Sequence, residues 1–299
     1  MNARTGLRTR ITITTVGTVA VMATLAGCGS GEKSSSATTA PVAADASLAA
    51  KVPSTIRSAG KIVVGTDATY APSEFLDTDG KTVVGFDVEI FDAAAAKLGL
   101  KTEWHPAKFT DIIPGVQSTK YNIGVSSFSA TPERMKTLNM VTYFSAGTRW
   151  AQRPESAIDP DNACGKKIAV QVGTVSLDDA TARSKKCAAS GKPAIAIDQF
   201  QAQSDATAAV VSGKDDAMIA DATVTAYAVK QANGKLAFAG QEYDAALYAY
   251  VLPKDQTEFA GAIQAAVQEI IADGTYRKIL TKWGVEAGSI TNPAVNPSA

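Results

Sequence analysis

The chain has 299 residues, 29 basic against 29 acidic, with 45% hydrophobic and 7% aromatic side chains. That length and apolar content can build one or two cored domains and exclude disorder throughout, although not a disordered segment. A net charge of zero lacks the cationic footprint of a nucleic-acid binder, and the single histidine, His105, excludes histidine-rich metal clusters.

In chain order, the first element is an export signal. Arg4, Arg8 and Arg10 precede an uncharged stretch from Ile11 to Gly27, which closes on Leu25-Ala26-Gly27-Cys28. A charged start, an apolar middle and a small-residue end predict a signal peptide over residues 1–27. The stretch falls short of the about 20 apolar residues that a membrane span wants. The closing tetrapeptide resembles the bacterial lipobox, whose cysteine takes a diacylglycerol. On that resemblance Cys28 is lipidated, with palmitate among its chains, and the exported protein sits on the outer face of the cell membrane by lipid alone. A plain signal peptide with an incidental cysteine is the alternative. Gly29 to Ala50 is mostly Ser, Ala, Thr, Gly and Pro and reads as a flexible tether, set at residues 28–52. No later apolar run approaches spanning length, because charges interrupt each one.

Two further cysteines remain, Cys164 and Cys187. An even pair in an oxidising compartment predicts a disulfide, with two reduced buried thiols as the alternative. Their spacing does not resemble a metal site.

From Lys61 the chain alternates apolar runs with amphipathic stretches. Lys61–Gly65, Ile123–Val125 and Ile168–Val172 read as strands. Val88–Leu98 reads as a helix closed by Gly99, and Val175–Ala188, Ser204–Ser212, Thr257–Asp273 and Thr275–Trp283 also read as helices. This alternation predicts an α/β architecture with mostly parallel sheets. One unit occurs twice: Gly115 to Val125 lines up with Ala209 to Ile219, an apolar helix, a small polar turn with a lysine, then a short strand. Ligands of open α/β sheets bind beyond the carboxyl ends of strands, so two copies suggest two lobes sharing a cleft. Coincidence between common βα units is the alternative.

Ser126 to Arg134 carries the chemistry. Thr131 suits an N-cap and Pro132 the first helical position, so a hydroxyl-rich strand end meets a helix N-terminus that favours an anion. Arg134 opposes that dipole unless it has an anionic partner, and its guanidinium can grip a carboxylate with two parallel hydrogen bonds. Read alone, the segment is only a capped helix with a surface arginine.

Taken in order, Gly65-Thr66-Asp67-Ala68-Thr69-Tyr70-Ala71-Pro72, Val84-Gly85-Phe86-Asp87-Val88-Glu89, Thr131-Pro132-Glu133-Arg134, Gln171-Val172-Gly173-Thr174 and Gly274-Thr275-Tyr276 form a specific set. They resemble the solute-binding proteins of polar amino-acid ABC importers, bacterial extracellular family 3, from about Lys61 to Trp283. The resemblance implies a two-lobed periplasmic-binding-protein fold of type II, a Venus flytrap. Lobe 1 would span 53–148 and 247–299, and lobe 2 would span 149–246.

It also implies site roles. Arg134 would bind the ligand α-carboxylate, helped by Ser127, Ser129 and the backbone near Thr174. Asp221, from the opposite lobe, would take the α-ammonium. Tyr70 and Phe109 would sandwich the side chain, and Asp67 and Gln171 would meet its distal polar end. As alternatives, Tyr70 and Phe109 are core aromatics, Asp67 caps a local turn, Gln171 is a solvated strand end, and Asp221 caps the helix after it. Trp104, Trp150 and Trp283 read as packing residues and His105 as a surface one.

The implied function is capture of a polar amino acid, glutamine or a basic one such as arginine, and delivery to an ABC permease and its ATPase. A monomer with no cofactor, no metal and no catalysis is expected. The alternative is a periplasmic enzyme on the same fold, similar to cyclohexadienyl dehydratase. It would need a poised acid, and neither Asp67 nor Glu74 has a tuning partner visible in the sequence. The chain departs from the family pattern at Ser73 (usually aromatic), Ser127 (often Gly), Asn122 (often Asp) and Asn139 to Phe144. These departures bear on the side-chain pocket and the crossing between lobes.

Overall fold

The structure, a computed structural model, describes residues 44–298, so the expected leader over 1–27 and the lipidation site Cys28 lie outside the described residues. The described chain opens with α1 (Ala46–Ala49), whose first N–H groups are capped by the Asp45 carboxylate. Leu48 and Val52 are buried in the same core as α3 and α9 below, and the Asp45 N–H donates to the Lys97 carbonyl at 2.8 Å. Packed structure therefore begins inside the segment read as tether. Two aliphatic side chains among small residues are enough to anchor it.

After α2 (Ser54–Ala59) come β1 (Lys61–Thr66), β2 (Thr69–Tyr70), β3 (Glu74–Leu76) and β4 (Val83–Val84), the last three forming a small antiparallel sheet. Helix α3 (Phe86–Lys97) starts at Gly85, where φ is +143° and any Cβ would run into the Ser73 carbonyl. Only glycine fits that approach. Then follow β5 (Lys101–Pro106), α4 (Phe109–Gln117), β6 (Ile123–Ser129) and α5 (Pro132–Thr137). The long strand β7 (Leu138–Gln152) crosses to β8 (Lys167–Gln171), α6 (Val175–Ala189), β9 (Ala196–Phe200), α7 (Gln203–Val211), β10 (Ala217–Asp221) and α8 (Ala222–Gln231). A second long strand, β11 (Ala237–Pro253), returns to α9 (Thr257–Ala272) and α10 (Thr275–Trp283).

The main sheet has eight strands in the order β5-β1-β6-β11-β7-β10-β8-β9. Its flanks are parallel, β5 with β1 and β6 on one side and β10 with β8 and β9 on the other. The expected α/β alternation is present, but the mostly parallel expectation is corrected at the centre. There β7 and β11 run antiparallel to each other and to their neighbours, joining the two halves in one sheet. Their ladder runs without a gap from Leu138–Thr142 against Ala249–Pro253, and shifts register between Ala239 and Tyr243 and again between Tyr243 and Ala246. Each half has its own core. One gathers β1, β6, α3, α9 and α10 around Phe86, Phe91 and Tyr250; another surrounds Trp150, Ile168 and Ile219 in the second half.

Cys164 and Cys187 are disulfide-bonded, with Cα atoms 5.6 Å apart, pinning α6 to the segment before β8. Both copies of the repeated unit take the same shape, α4 leading into β6 and α7 into β10. Beyond α10 the chain runs back along the outer edge of β7. Ala294 bonds Thr142, Val295 bridges Val141, and the Asn296 side chain accepts from Met140 N at 2.9 Å. Trp150 is fully buried and donates to Tyr243 Oη, while His105 is half-exposed beside Glu103.

Candidate functional site

The carboxyl ends of β1, β6, β8 and β10 converge on one cleft. Asp67, Tyr70, Phe109, Ser127, Ser129, Arg134, Gln171, Thr174 and Asp221 all line it, joined by Ser126 and Val175. The space left between them is about 10 Å³, roughly room for one water molecule. The two sides are closed upon each other by direct bonds. Arg134 Nη2 donates to the Gly173 carbonyl (3.2 Å), Gln171 Nε2 to Asp67 Oδ2 (2.7 Å), Gln203 N to Thr69 Oγ1 (3.1 Å) and Asp221 N to Tyr70 Oη (3.3 Å).

Helix α5 is only six residues long, and the Thr131 hydroxyl already takes the Arg134 N–H at 3.3 Å. The expected helix-terminal anion site thus shrinks to the arginine side chain itself. That guanidinium is half-buried over the stacked rings of Phe109 and Phe128, 5.7 and 5.5 Å from their centroids, with Nη1 on the Ser129 carbonyl at 3.0 Å. Burial lowers its pKa, while Asp221 and Asp178 pull the other way. Arg134 has no carboxylate within 4.0 Å among the described residues.

Asp221 ends β10 at the N-cap position of α8, yet its side chain makes no capping hydrogen bond. The helix-cap alternative therefore fails on geometry, and the buried carboxylate lines the cleft instead. Burial pushes its pKa up to about 6, opposed by Tyr248, Tyr70 and the Arg134 charge.

Asp67 does cap a turn, as the local alternative expected, and lines the cleft as well. Oδ1 accepts from Thr69 N and Oγ1 (3.1 and 2.7 Å), and Oδ2 from Phe109 N (3.0 Å) and Gln171. Burial raises its pKa against these bonds. Gln171 is buried rather than solvated, and its Oε1 has no partner among the described residues. Thr174 caps α6 by accepting from Leu177 N at 3.3 Å, and its hydroxyl donates to the Gln171 carbonyl at 2.7 Å. Tyr70 packs against Ala220 and Val224 across the cleft, whereas Phe109 stacks on Phe128.

Beneath the expected Ser127 the floor holds Asp87 and Tyr143, which the sequence reading did not place in the site. Ser127 sits at φ +48°, a left-handed conformation costly for a side-chain-bearing residue. Its N–H and hydroxyl both donate to Asp87 Oδ2, at 3.1 and 3.0 Å, which also receives the Tyr143 hydroxyl. Ser126 accepts from Asp67 N and donates to Glu74 Oε1 at 2.9 Å. Glu74 and Asp87 are both fully buried, and among the described residues no basic group bonds either one. Burial and the Asp87 charge hold Glu74 well above the usual carboxylate range, and burial raises Asp87 to about 6 against bonds from Tyr143, Glu74 and Ser127. Glu74 Oε2 and Asp87 Oδ1 have no partners among the described residues, and the raised pKa of Glu74 favours its protonated form beside Asp87. Glu74 thus has the tuning partner that its sequence neighbourhood hides, but it lies below the cleft rather than on its lining.

Comparison with known proteins gives a consistent result. The family model described as bacterial extracellular solute-binding proteins, family 3, matches residues 62–286. The arginine-binding protein ArgT of Corynebacterium glutamicum is 33% identical over 296 residues, covering 96% of each chain. Among solved structures, an ancestral arginine-binding protein bound to arginine is 32% identical with a TM-score of 0.70, covering 75% of this chain and 98% of that one. The ancestral amino acid-binding protein AncCDT-1, a precursor of cyclohexadienyl dehydratase, is 31% identical with a TM-score of 0.69, covering 77% and 97%.

Proposed function

The chain belongs to the bacterial extracellular solute-binding proteins of family 3, and on that premise we propose that it captures arginine outside the membrane and hands it to an ABC importer. One observation carries this reading: a guanidinium and a carboxylate, Arg134 and Asp221, line one cleft from opposite halves without pairing to each other. A free amino acid is a zwitterion and needs a fixed cation and a fixed anion at once. Arg134 takes the α-carboxylate, Asp221 the α-ammonium, and Ser127, Ser129 and Thr174 add polar contacts. Tyr70 and Phe109 flank the stem.

Asp67 and the unpartnered Gln171 Oε1 set the preference for arginine over glutamine. Both are acceptors, and a guanidinium is donor-only, so its N–H groups meet acceptors there. A glutamine amide would turn one acceptor toward them.

In the closed arrangement described above, Gly173 and Gln171 occupy the bonding positions that the ligand groups require. Arginine therefore enters with the lobes parted, 53–148 and 247–299 against 149–246, and the irregular stretch of the β7–β11 ladder is the hinge. Ligand then favours the closed state by the difference in its affinity for the two. Lipid on Cys28 would keep this monomer beside its permease and ATPase without a cofactor.

The similarity to a dehydratase precursor keeps an enzyme reading in view. The binder is favoured because the family model and the relative that matches over most of the chain are those of binding proteins, and because the two acids on the lining, Asp67 and Asp221, are the ones that meet the ligand's cationic groups in this reading, while Glu74 lies off it. Calorimetric titration with all twenty amino acids, followed by mass spectrometry of the recovered ligand, tests this. Arginine should bind tightest and return unchanged; binding of none, or release of altered ligand, rejects it.

A further inference from the structure

The bonds that close the cleft do not all lie on its lining. Strand β2 is only two residues long, Thr69–Tyr70, and is mounted on the first half by pairing with β3, Thr69 opposite Phe75 and Tyr70 opposite Glu74. Both of its side chains reach the second half. The Tyr70 hydroxyl accepts from Asp221 N at 3.3 Å, and the Thr69 hydroxyl accepts from Gln203 N at 3.1 Å. Tyr70 lines the cleft, whereas Thr69 does not. Phe75, on the neighbouring strand, packs on Tyr227 of α8 with ring centroids 6.0 Å apart, so the small sheet meets the second half at three places.

Helix α7 gives the Thr69 bond its weight. Gln203 is the first residue of that helix, and its N-cap position holds Ala202, whose methyl group accepts nothing. The Thr69 hydroxyl fills the role from the other half, 134 residues away in sequence. The same hydroxyl donates to Asp67 Oδ1 at 2.7 Å, and Thr69 N donates to that oxygen at 3.1 Å. A hydroxyl whose proton is committed to a carboxylate keeps its lone pairs for the α7 N–H, and the carboxylate polarises it into a better acceptor. The series Asp67, Thr69, Gln203 thus runs from the cleft lining to the opposite half through residues bonded to one another.

We propose that Thr69 is a positioning residue for capture: its hydroxyl caps α7 across the cleft and latches the two halves over the bound amino acid without touching it. This deepens the arginine-capture reading and rests on it for the effect on ligand. When the halves part, the hydroxyl and the Gln203 N–H each turn to water, so the latch is worth only the net value of one hydrogen bond. A bond made only in the closed state biases the equilibrium toward closure, and it acts on release of the ligand rather than on its entry.

The test compares the full chain with Thr69→Val, Thr69→Ser and Gln203→Pro. Proline suits the first helical position, and Ala202 is already extended (φ −108°, ψ 136°), as the residue before a proline prefers. Gln203→Pro therefore deletes the donated N–H while leaving the bonds between Thr69 and Asp67 in place. In stopped-flow binding, arginine should dissociate about three- to tenfold faster from Thr69→Val and from Gln203→Pro, with association within about twofold and Thr69→Ser matching the parent. The double variant should release arginine no faster than the faster single variant, because both changes remove one bond. Without ligand, exchange of the Gln203 amide, followed by NMR on the 15N-labelled chain, should quicken in Thr69→Val and not in Thr69→Ser. Should Gln203→Pro not fold, the valine and serine variants carry the test. Unchanged dissociation from the single variants, additive effects in the double variant, or Gln203 exchange that ignores Thr69→Val overturns the latch. A parent chain that binds no arginine rejects the capture reading instead, and the ligand-free exchange then decides the latch alone.

Discussion

Both oxygens of Asp67 are already taken by Thr69, Phe109 and Gln171, whereas the Asp221 carboxylate leaves the helix after it uncapped. The two acids should therefore respond differently to change. Asp67→Asn keeps the shape but exchanges one acceptor oxygen for an amide NH2, giving up two of the four bonds Asp67 accepts together with the charge proposed to meet a ligand cation. Arginine should lose about tenfold or more in affinity and glutamine no more than a few-fold, by calorimetry. For Asp221 the sign follows from a folded pKa of about 6 against an ordinary 3.8. Its contribution to the stability of the unliganded chain is present below the ordinary value and is lost as pH rises through about 6. Ligand affinity runs the opposite way, because the ammonium needs the ionised form. Arginine affinity, and the rise in Tm that arginine gives, should fall as pH drops below about 6, approaching tenfold per unit. A flat affinity from pH 7 to pH 5 would contradict this role. The outward-facing members of this set were legible in the sequence because they sit in short contiguous motifs. The Glu74–Asp87 pair was not, since only the tertiary fold brings β3 and α3 beneath Ser126 and Ser127.

Among the elements, the helices were the most legible. α9 and α10 carry apolar residues at helical spacing, and their observed ends, Ala272 and Trp283, lie within one residue of those expected. β6 runs on past its apolar trio to Ser129, because buried serines continue the strand while looking like a loop. Strands β7 and β11 escaped notice. β11 is largely exposed as far as Leu247 and buried from Tyr248 to Leu252, so it shows no single period. The disulfide belongs to this scale too. It closes 23 residues between the segment before β8 and α6, which by loop entropy is worth about 3 kcal/mol. Changing both cysteines to serine should lower Tm through the second half alone. Hydrogen exchange should quicken in α6 and β8 while α3 and α9 keep their protection.

For the molecule as a whole, the two charges of the cleft sit on opposite halves, and within the main sheet β7 and β11 join those halves. The repeated unit in the sequence hinted at two similar lobes. It said nothing of how they join, because that depends on pairing between residues about 100 apart, such as Met140 with Val251. The tail beyond α10 has a consequence of its own. From Leu138 to Phe144, β7 is buried throughout, and on the side away from β11 its backbone is met by Ala294, Val295 and Asn296. Take that strap away and a long, greasy, unpaired border is offered to any other copy of the chain. A stop codon after Ser289 should thus yield protein that elutes from a sizing column as self-stacked aggregates. A C-terminal fusion that pulls the strap loose should do the same, and a truncated chain that stays monomeric would show that the border is guarded by something else.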